Sequence, residues 1–142
     1  METQTSINVF TAQAKENLEF ANSYYATLAK GLVKPSKFNN DLKYKMALMC
    51  TEKYFISLMA AYDESPAMHT PLGLYREASM VESDLTPSIK KTCGLIGKFE
   101  GICSLEDFGY RTPSDDDIRL MVEGMKEIKD LVEKRVIPFL AL

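Results

Sequence analysis

The chain has 142 residues, of which 46% are hydrophobic and 26% charged, and its formal net charge at pH 7 is −3. This length suits one domain with a sizeable core, and the negative charge argues against indiscriminate nucleic-acid binding. The three cysteines are odd in number and lack paired spacing, which argues against a disulfide framework or a metal site. We therefore expect no metal and no cofactor, and we interpret the cysteines as small buried hydrophobic residues.

The amino terminus does not have the pattern of a secretory signal. It begins Met1-Glu2-Thr3-Gln4, without a basic start or an apolar run behind it. The longest uncharged stretch of the central predicted helix, from Tyr54 to Tyr62, is far shorter than the ~20 residues that cross a bilayer. These features predict a cytoplasmic protein with no membrane partner.

Two long helices are predicted in the first half of the chain. Apolar residues recur at steps of three and four from about Ser6 to Val33, and Pro35 prevents continuation. A second helix follows Asp41 and runs to about Tyr62, with apolar residues over more than half of its circumference. Because such a helix is usually packed on several sides, we place it at the centre of the fold.

Three Thr-Pro pairs predict three further helix starts, because Thr caps a helix and Pro fits its first position. The pairs are Thr70-Pro71, Thr86-Pro87 and Thr112-Pro113, with Ser114 as an alternative cap for the last helix. The third helix is expected to bury an edge that extends to Val81 and Leu85. The fifth is expected to run until Pro138 disrupts its last turn. Five helices with short connections predict an all-α antiparallel bundle, a single domain over residues 1–142.

The fourth helix carries three glycines, Gly94, Gly97 and Gly101. Three interior glycines cost roughly 3 kcal/mol of helix propensity relative to alanine. A close helix–helix crossing is the simplest compensation, and a ligand or second subunit resting on the bare backbone is the other. We take the three glycines as interface candidates.

Charge is unevenly distributed along the chain. Residues 30–45 contain five lysines and one aspartate, whereas residues 104–117 contain five carboxylates and one arginine. The preferred explanation is helix-end electrostatics, which favours cations at carboxyl ends and anions at amino ends. A nucleic-acid surface is the competing explanation for the lysines.

Catalytic patterns are absent from the sequence. A hydrolase that uses histidine would depend on His69, the only one in the chain. No phosphate-binding glycine loop and no Glu-x-x-His motif occur. The residues therefore predict no complete catalytic constellation, and an enzyme is the less favoured interpretation.

One segment resembles a known family. The run Ala47-Leu48-Met49-Cys50-Thr51-Glu52-Lys53-Tyr54-Phe55, then Leu58-Met59-Ala60-Ala61, Pro66, His69 and Leu72, resembles the HEPN family, named for higher-eukaryote and prokaryote nucleotide binding. The likeness extends through Tyr110-Arg111 into the following helix and covers about residues 42–135. It implies a helical bundle, often dimeric, with a connection to nucleotides or nucleic acids. Many members are metal-independent ribonucleases or toxin components, frequently partnered with a small nucleotidyltransferase.

The chain departs from the HEPN nuclease pattern, which implies an Arg and a His a few residues apart on a late helix. Neither Arg111 nor Arg119 is followed by a histidine, so the chain lacks the residue that would act as general acid in this pattern. Our leading hypothesis is a non-catalytic, dimeric HEPN-like module that binds a nucleotide, RNA or a partner protein. Its ligand-binding candidates are His69, Tyr110, Arg111 and Arg119, because arginine suits phosphate and tyrosine can stack on a base.

Two alternatives belong to other functional classes. One is a divergent ribonuclease or toxin–antitoxin component that uses Arg111 or Arg119 with His69. The other is a purely structural or regulatory bundle whose contact surface is formed by Gly94, Gly97 and Gly101.

Overall fold

The structure is a computed structural model that describes residues 2–34, 36–103 and 112–142. Its elements in chain order are α1 (Glu2–Val33), α2 (Asn40–Ala60), α3 (Pro71–Ala78), α4 (Pro87–Cys103) and α5 (Asp115–Leu140). The described residues are helical with no strand, which confirms the all-α bundle.

Helix α2 lies at the centre of the bundle, as predicted. It packs against each of the other four helices. Its inward residues include Tyr54, Phe55 and Leu58, all fully buried. Neighbouring helices contribute further side chains to the same core, among them Phe99 from α4 and Met121 from α5.

The helix starts follow from local capping. Thr70 accepts a hydrogen bond from the Gly73 N–H and places Pro71 in the first turn of α3, as predicted. Thr86 accepts one from the Ile89 N–H, 3.1 Å away, at the start of α4. The fifth helix starts after Ser114 instead of Thr112, because Ser114 and Asp117 form a reciprocal capping box.

Three predicted boundaries were wrong. Helix α1 begins at Glu2, before Ser6. Helix α3 ends at Ala78, so Val81 and Leu85 are half-buried in the turns beyond it, where the Glu82 N–H bonds the Ala78 carbonyl. Helix α5 continues past Pro138 to Leu140, since a proline near a helix end removes only one backbone hydrogen bond.

The cysteine prediction holds for the two thiols within the described side chains. Cys50 and Cys93 are fully buried, and burial raises the pKa of each to about 12. Both therefore behave as small hydrophobic groups at neutral pH. The side chain of Cys103 lies outside the described residues.

Candidate functional site

A cluster of lysines lies where α1 ends and α2 begins. We call Lys30, Lys34, Lys37 and Lys43 the lysine-rich end. Lys30 is in the last turn of α1 and Lys34 directly follows it, so both suit a helix carboxyl end. Lys37 lies in the connecting segment, and Lys43 near the start of α2 extends its side chain to the last turn of α1, where its Cε is 3.9 Å from the position of a Cβ at Gly31. Helix-end electrostatics therefore accounts for Lys30, Lys34 and Lys43 but not for Lys37.

A cleft of about 360 Å³ opens at the lysine-rich end, between α1, α2 and α5. Lys34 and Lys43 line it together with residues from the first turn of α5. The Asn40 amide ties α2 to α5 by donating to the Pro113 carbonyl and to Asp115 Oδ1, both at 2.9 Å. The cleft therefore lies where the carboxyl end of α1 meets the amino ends of α2 and α5.

The acidic residues of this cleft already have partners. Asp115 is bound by Asn40, and Asp116 Oδ1 lies 2.5 Å from the Arg119 guanidinium. Within the part of the chain that the structure describes, none of the four lysines is in ion-pair distance of a carboxylate. The lysine ammonium groups are therefore available to an anionic ligand.

Arg119 lines the same cleft, but its guanidinium is engaged on both sides. It bonds Asp116 and also Glu123, whose Oε1 lies 3.0 Å away. The hydrogen bond to Asp116, followed by the attraction of that carboxylate, raises the pKa of Arg119 above its ordinary value. A phosphate would have to displace these carboxylates to bind Arg119 bidentately.

His69 lies at a different place, in the loop before α3. Its side chain is 72% exposed, and Nδ1 is 3.1 Å from Glu52 Oε2 on α2. A carboxylate at this position orients the ring. His69 and Glu52 line a second cavity, of about 450 Å³.

The structure does not bring His69 and Arg119 into one site. Asn40, beside Arg119 in the cleft, and Glu52, the partner of His69, are separated by 12 positions of α2. That separation corresponds to about 18 Å along the helix axis. Tyr110 and Arg111, the other two ligand-binding candidates, lie outside the described residues.

Gly94 and Gly97 of α4 do not mark a close helix crossing within the described part of the chain. A Cβ added at Gly94 would meet nothing within 4 Å, and one added at Gly97 would make ordinary contact with the Pro71 ring at 3.8 Å. The close approach lies on α5, where a Cβ at Gly124 would come within 3.0 Å of three side-chain atoms of Thr92. Gly101 lies in the last turns of α4.

Sequence reasoning missed a buried ion pair. Glu82 is only 2% exposed, and Arg135 donates to both of its carboxylate oxygens, at 2.7 and 2.9 Å. The Tyr62 hydroxyl and the Asp84 N–H also donate to Glu82. Burial alone would raise the pKa of Glu82, but the hydrogen bonds from Arg135, Asp84 and Tyr62 outweigh it and lower the pKa. The fully bonded carboxylate joins the α3–α4 connection to α5 and to the turn that follows α2.

Neither a metal site nor a membrane span is found in the described part of the chain. Its His, Cys, Asp and Glu side chains form no group of three that could hold a metal ion. Its helices include none that is both long and apolar enough to cross a bilayer.

Comparisons with known proteins identify no relative. No protein-family model, no curated protein and no solved structure matches this chain.

Proposed function

We propose that this chain is a divergent, non-catalytic HEPN-like module that binds a nucleotide or RNA at its lysine-rich end. The observation that carries the proposal is the set of four lysines without a carboxylate partner among the described residues. Lysines clustered in this way produce a positive potential that attracts phosphate groups.

The residues around the cleft support a role in binding. Lys34 and Lys43 line it, and the neighbouring Asp115 is bound by Asn40 and not by a lysine. The first turn of α5 also borders the cleft, and the amino end of a helix favours an anion.

The arrangement of His69 and Arg119 supports the non-catalytic part of the proposal. General acid–base cleavage of RNA needs a proton donor within hydrogen-bond reach of the phosphate. The exposed imidazole of His69 and the guanidinium of Arg119 line separate cavities, and Arg119 is held by two carboxylates.

The direct test uses the double variant Lys34→Met/Lys43→Met with a short labelled oligouridylate and labelled ATP. We expect saturable binding to the wild type, weakened by salt, and a salt slope that falls by about 0.7 for each lysine removed. Methionine keeps a similar side-chain length, so lost affinity reports lost charge. Fluorescence anisotropy between low and physiological salt measures both quantities.

The matched control is Lys126→Met/Lys134→Met, which removes two exposed lysines of α5 that pair with Asp130 and Asp84. We expect this variant to bind like the wild type. Equal losses of affinity in both double variants, or no saturable binding by the wild type, would exclude the lysine-rich end as the binding site. RNA cleavage that disappears in His69→Ala would support the ribonuclease alternative instead.

Dimerisation is a separate part of the proposal. It is supported by the open backbone at Gly94, where an added Cβ would have no neighbour within 4 Å among the described residues. We expect light scattering to show two chains for the wild type and one for Gly94→Leu. An unchanged mass in that variant would exclude this face as the dimer contact.

A further inference from the structure

Two neighbouring cavities whose exposed lining is mostly apolar flank the start of α3, one between α2 and the preceding loop and the other between α3 and α4. The cavity of about 450 Å³ is lined by Leu48, Met49 and Thr70, among others, and a second one of about 180 Å³ by Leu72 and Tyr75. Thr70 and Leu72 flank the first residue of α3, so the two cavities lie on either side of that turn. We call Leu48, Met49, Leu72 and Tyr75 the apolar groove.

The backbone around the apolar groove is fixed by hydrogen bonds and packing. The Tyr75 hydroxyl donates to the Thr86 carbonyl at 3.1 Å, which ties α3 to the start of α4. Glu77 accepts the N–H groups of Ala67 and Met68 at 3.0–3.1 Å and holds the preceding loop. Pro71 is buried and lies beside Gly97 of α4. The groove is therefore formed before any partner binds.

The exposed side chains of the groove are of the kind that bind other proteins. Met49 is 39% exposed, Leu72 is 40% exposed, and Met68 in the loop before α3 is 44% exposed. Neighbouring exposed apolar residues mark interaction surfaces, and methionine adapts its shape to different partners. A groove of this type accepts the apolar face of an amphipathic helix.

The charges around the groove favour a partner helix whose polar face is negatively charged. Lys45, Arg76 and Lys90 line its two cavities, and in the described ranges none of them pairs with a carboxylate. The nearby acids are already engaged, since Glu52 contacts His69 and Glu77 bonds backbone N–H groups. The rim therefore presents unpaired positive charge to a partner.

We propose that the apolar groove binds an amphipathic helix of a partner protein whose polar face is acidic. Leucine-type side chains of that helix occupy the positions beside Met49 and Leu72. Its carboxylates pair with Lys45, Arg76 and Lys90. This surface involves none of the four lysines of the lysine-rich end, so the inference does not depend on nucleotide or RNA binding.

The test uses a labelled synthetic peptide of about 20 residues, about 30 Å of helix, with leucines along one face and glutamates on the other. A matched peptide carries lysines in place of the glutamates. We expect saturable binding of the acidic peptide and at least about tenfold weaker binding of the basic one. Absent binding of the acidic peptide, or equal binding of the two, would overturn the proposal.

Methionine methyl resonances locate the binding site in the full chain. We expect the acidic peptide to shift the methyl signals of Met49 and Met68 and to leave that of Met80, 79% exposed beyond the end of α3, unchanged. Shifts confined to other methionines would contradict the assignment.

Three variants separate the apolar and the ionic contributions. Leu72→Ser and Arg76→Glu/Lys90→Glu are each expected to weaken the acidic peptide about tenfold. The control is Leu120→Ser, which removes a leucine of similar exposure, 44%, from α5. A loss of affinity in the control equal to that in Leu72→Ser would show that the peptide binds elsewhere.

Discussion

Helix α5 and the lysine-rich end carry similar numbers of positive charges but surround them with different partners. Every cation of α5 pairs with a carboxylate: Arg119, Lys126, Lys129, Lys134 and Arg135. Among the described residues, the four lysines between α1 and α2 pair with none. The cations of α5 are neutralised by partners within the fold. The lysines of the lysine-rich end are instead available to a ligand.

The largest loss of stability is expected when the buried pair of Glu82 and Arg135 is broken. Arg135→Met leaves Glu82 buried with one fewer charged partner, which should lower the free energy of unfolding by about 3–5 kcal/mol. Urea denaturation followed by circular dichroism measures the change. A loss below about 1 kcal/mol would mean that Arg135 is no more structural than the lysines at the other end.

A smaller loss of folding stability is expected from Gly124→Ala on α5. The new Cβ would lie 3.0 Å or less from three atoms of Thr92, so α4 and α5 must move apart, at about 1–3 kcal/mol.

The matched change at the lysine-rich end is Gly31→Ala, which meets only ordinary contacts at 3.7 Å or more. We expect it to stabilise α1 by up to about 1 kcal/mol through helix propensity. If the two variants shift the thermal midpoint in the same direction, the contrast in packing between the regions is wrong.

Lowering the pH should weaken the ion pair of Glu82 and Arg135 in the unmodified protein, because it protonates Glu82. The folded-state pKa of Glu82 is lowered, so its stabilising contribution is complete above the ordinary carboxyl value of 4.5 and is lost as the pH falls through the lower folded value. Acid removes only the charge, so we expect a smaller change than with Arg135→Met. In Glu82→Gln this component of the pH dependence should be missing, as measured by thermal midpoints from neutral pH down to about pH 3.

The smallest effect is expected at the lysine-rich end itself. Lys34→Met removes a charge that has no carboxylate partner among the described residues, so the free energy of unfolding should change by no more than about 0.5 kcal/mol. A destabilisation comparable to that of Arg135→Met would show that Lys34 is structural.

The fold was predictable from the sequence because its signals are local. Apolar periodicity identified α2 as the central helix, and Thr70-Pro71 identified the start of α3. The start of the fifth helix was left open between Thr112 and Ser114, and the capping box of Ser114 with Asp117 decides it. Spacing alone cannot rank two adjacent caps.

The candidate site was predictable only in part. The excess of lysines in residues 30–45 is visible in the sequence, but their lack of carboxylate partners appears only when Asn40 and Arg119 are seen to engage Asp115 and Asp116. The Glu82–Arg135 pair spans 53 positions and carries no local pattern. Glu82 lies between Val81 and the polar Ser83, so its neighbours in the sequence gave no signal that it is buried.

The inert thiols of Cys50 and Cys93 provide a means of following how the bundle opens. Their raised pKa of about 12 and full burial mean that alkylating reagents at neutral pH react only after α2 or α4 separates from its neighbours. In a Cys103→Ser background, the modification rate of each remaining cysteine would report the opening of one helix. Comparison of the two rates would then show whether the molecule opens as a whole or helix by helix.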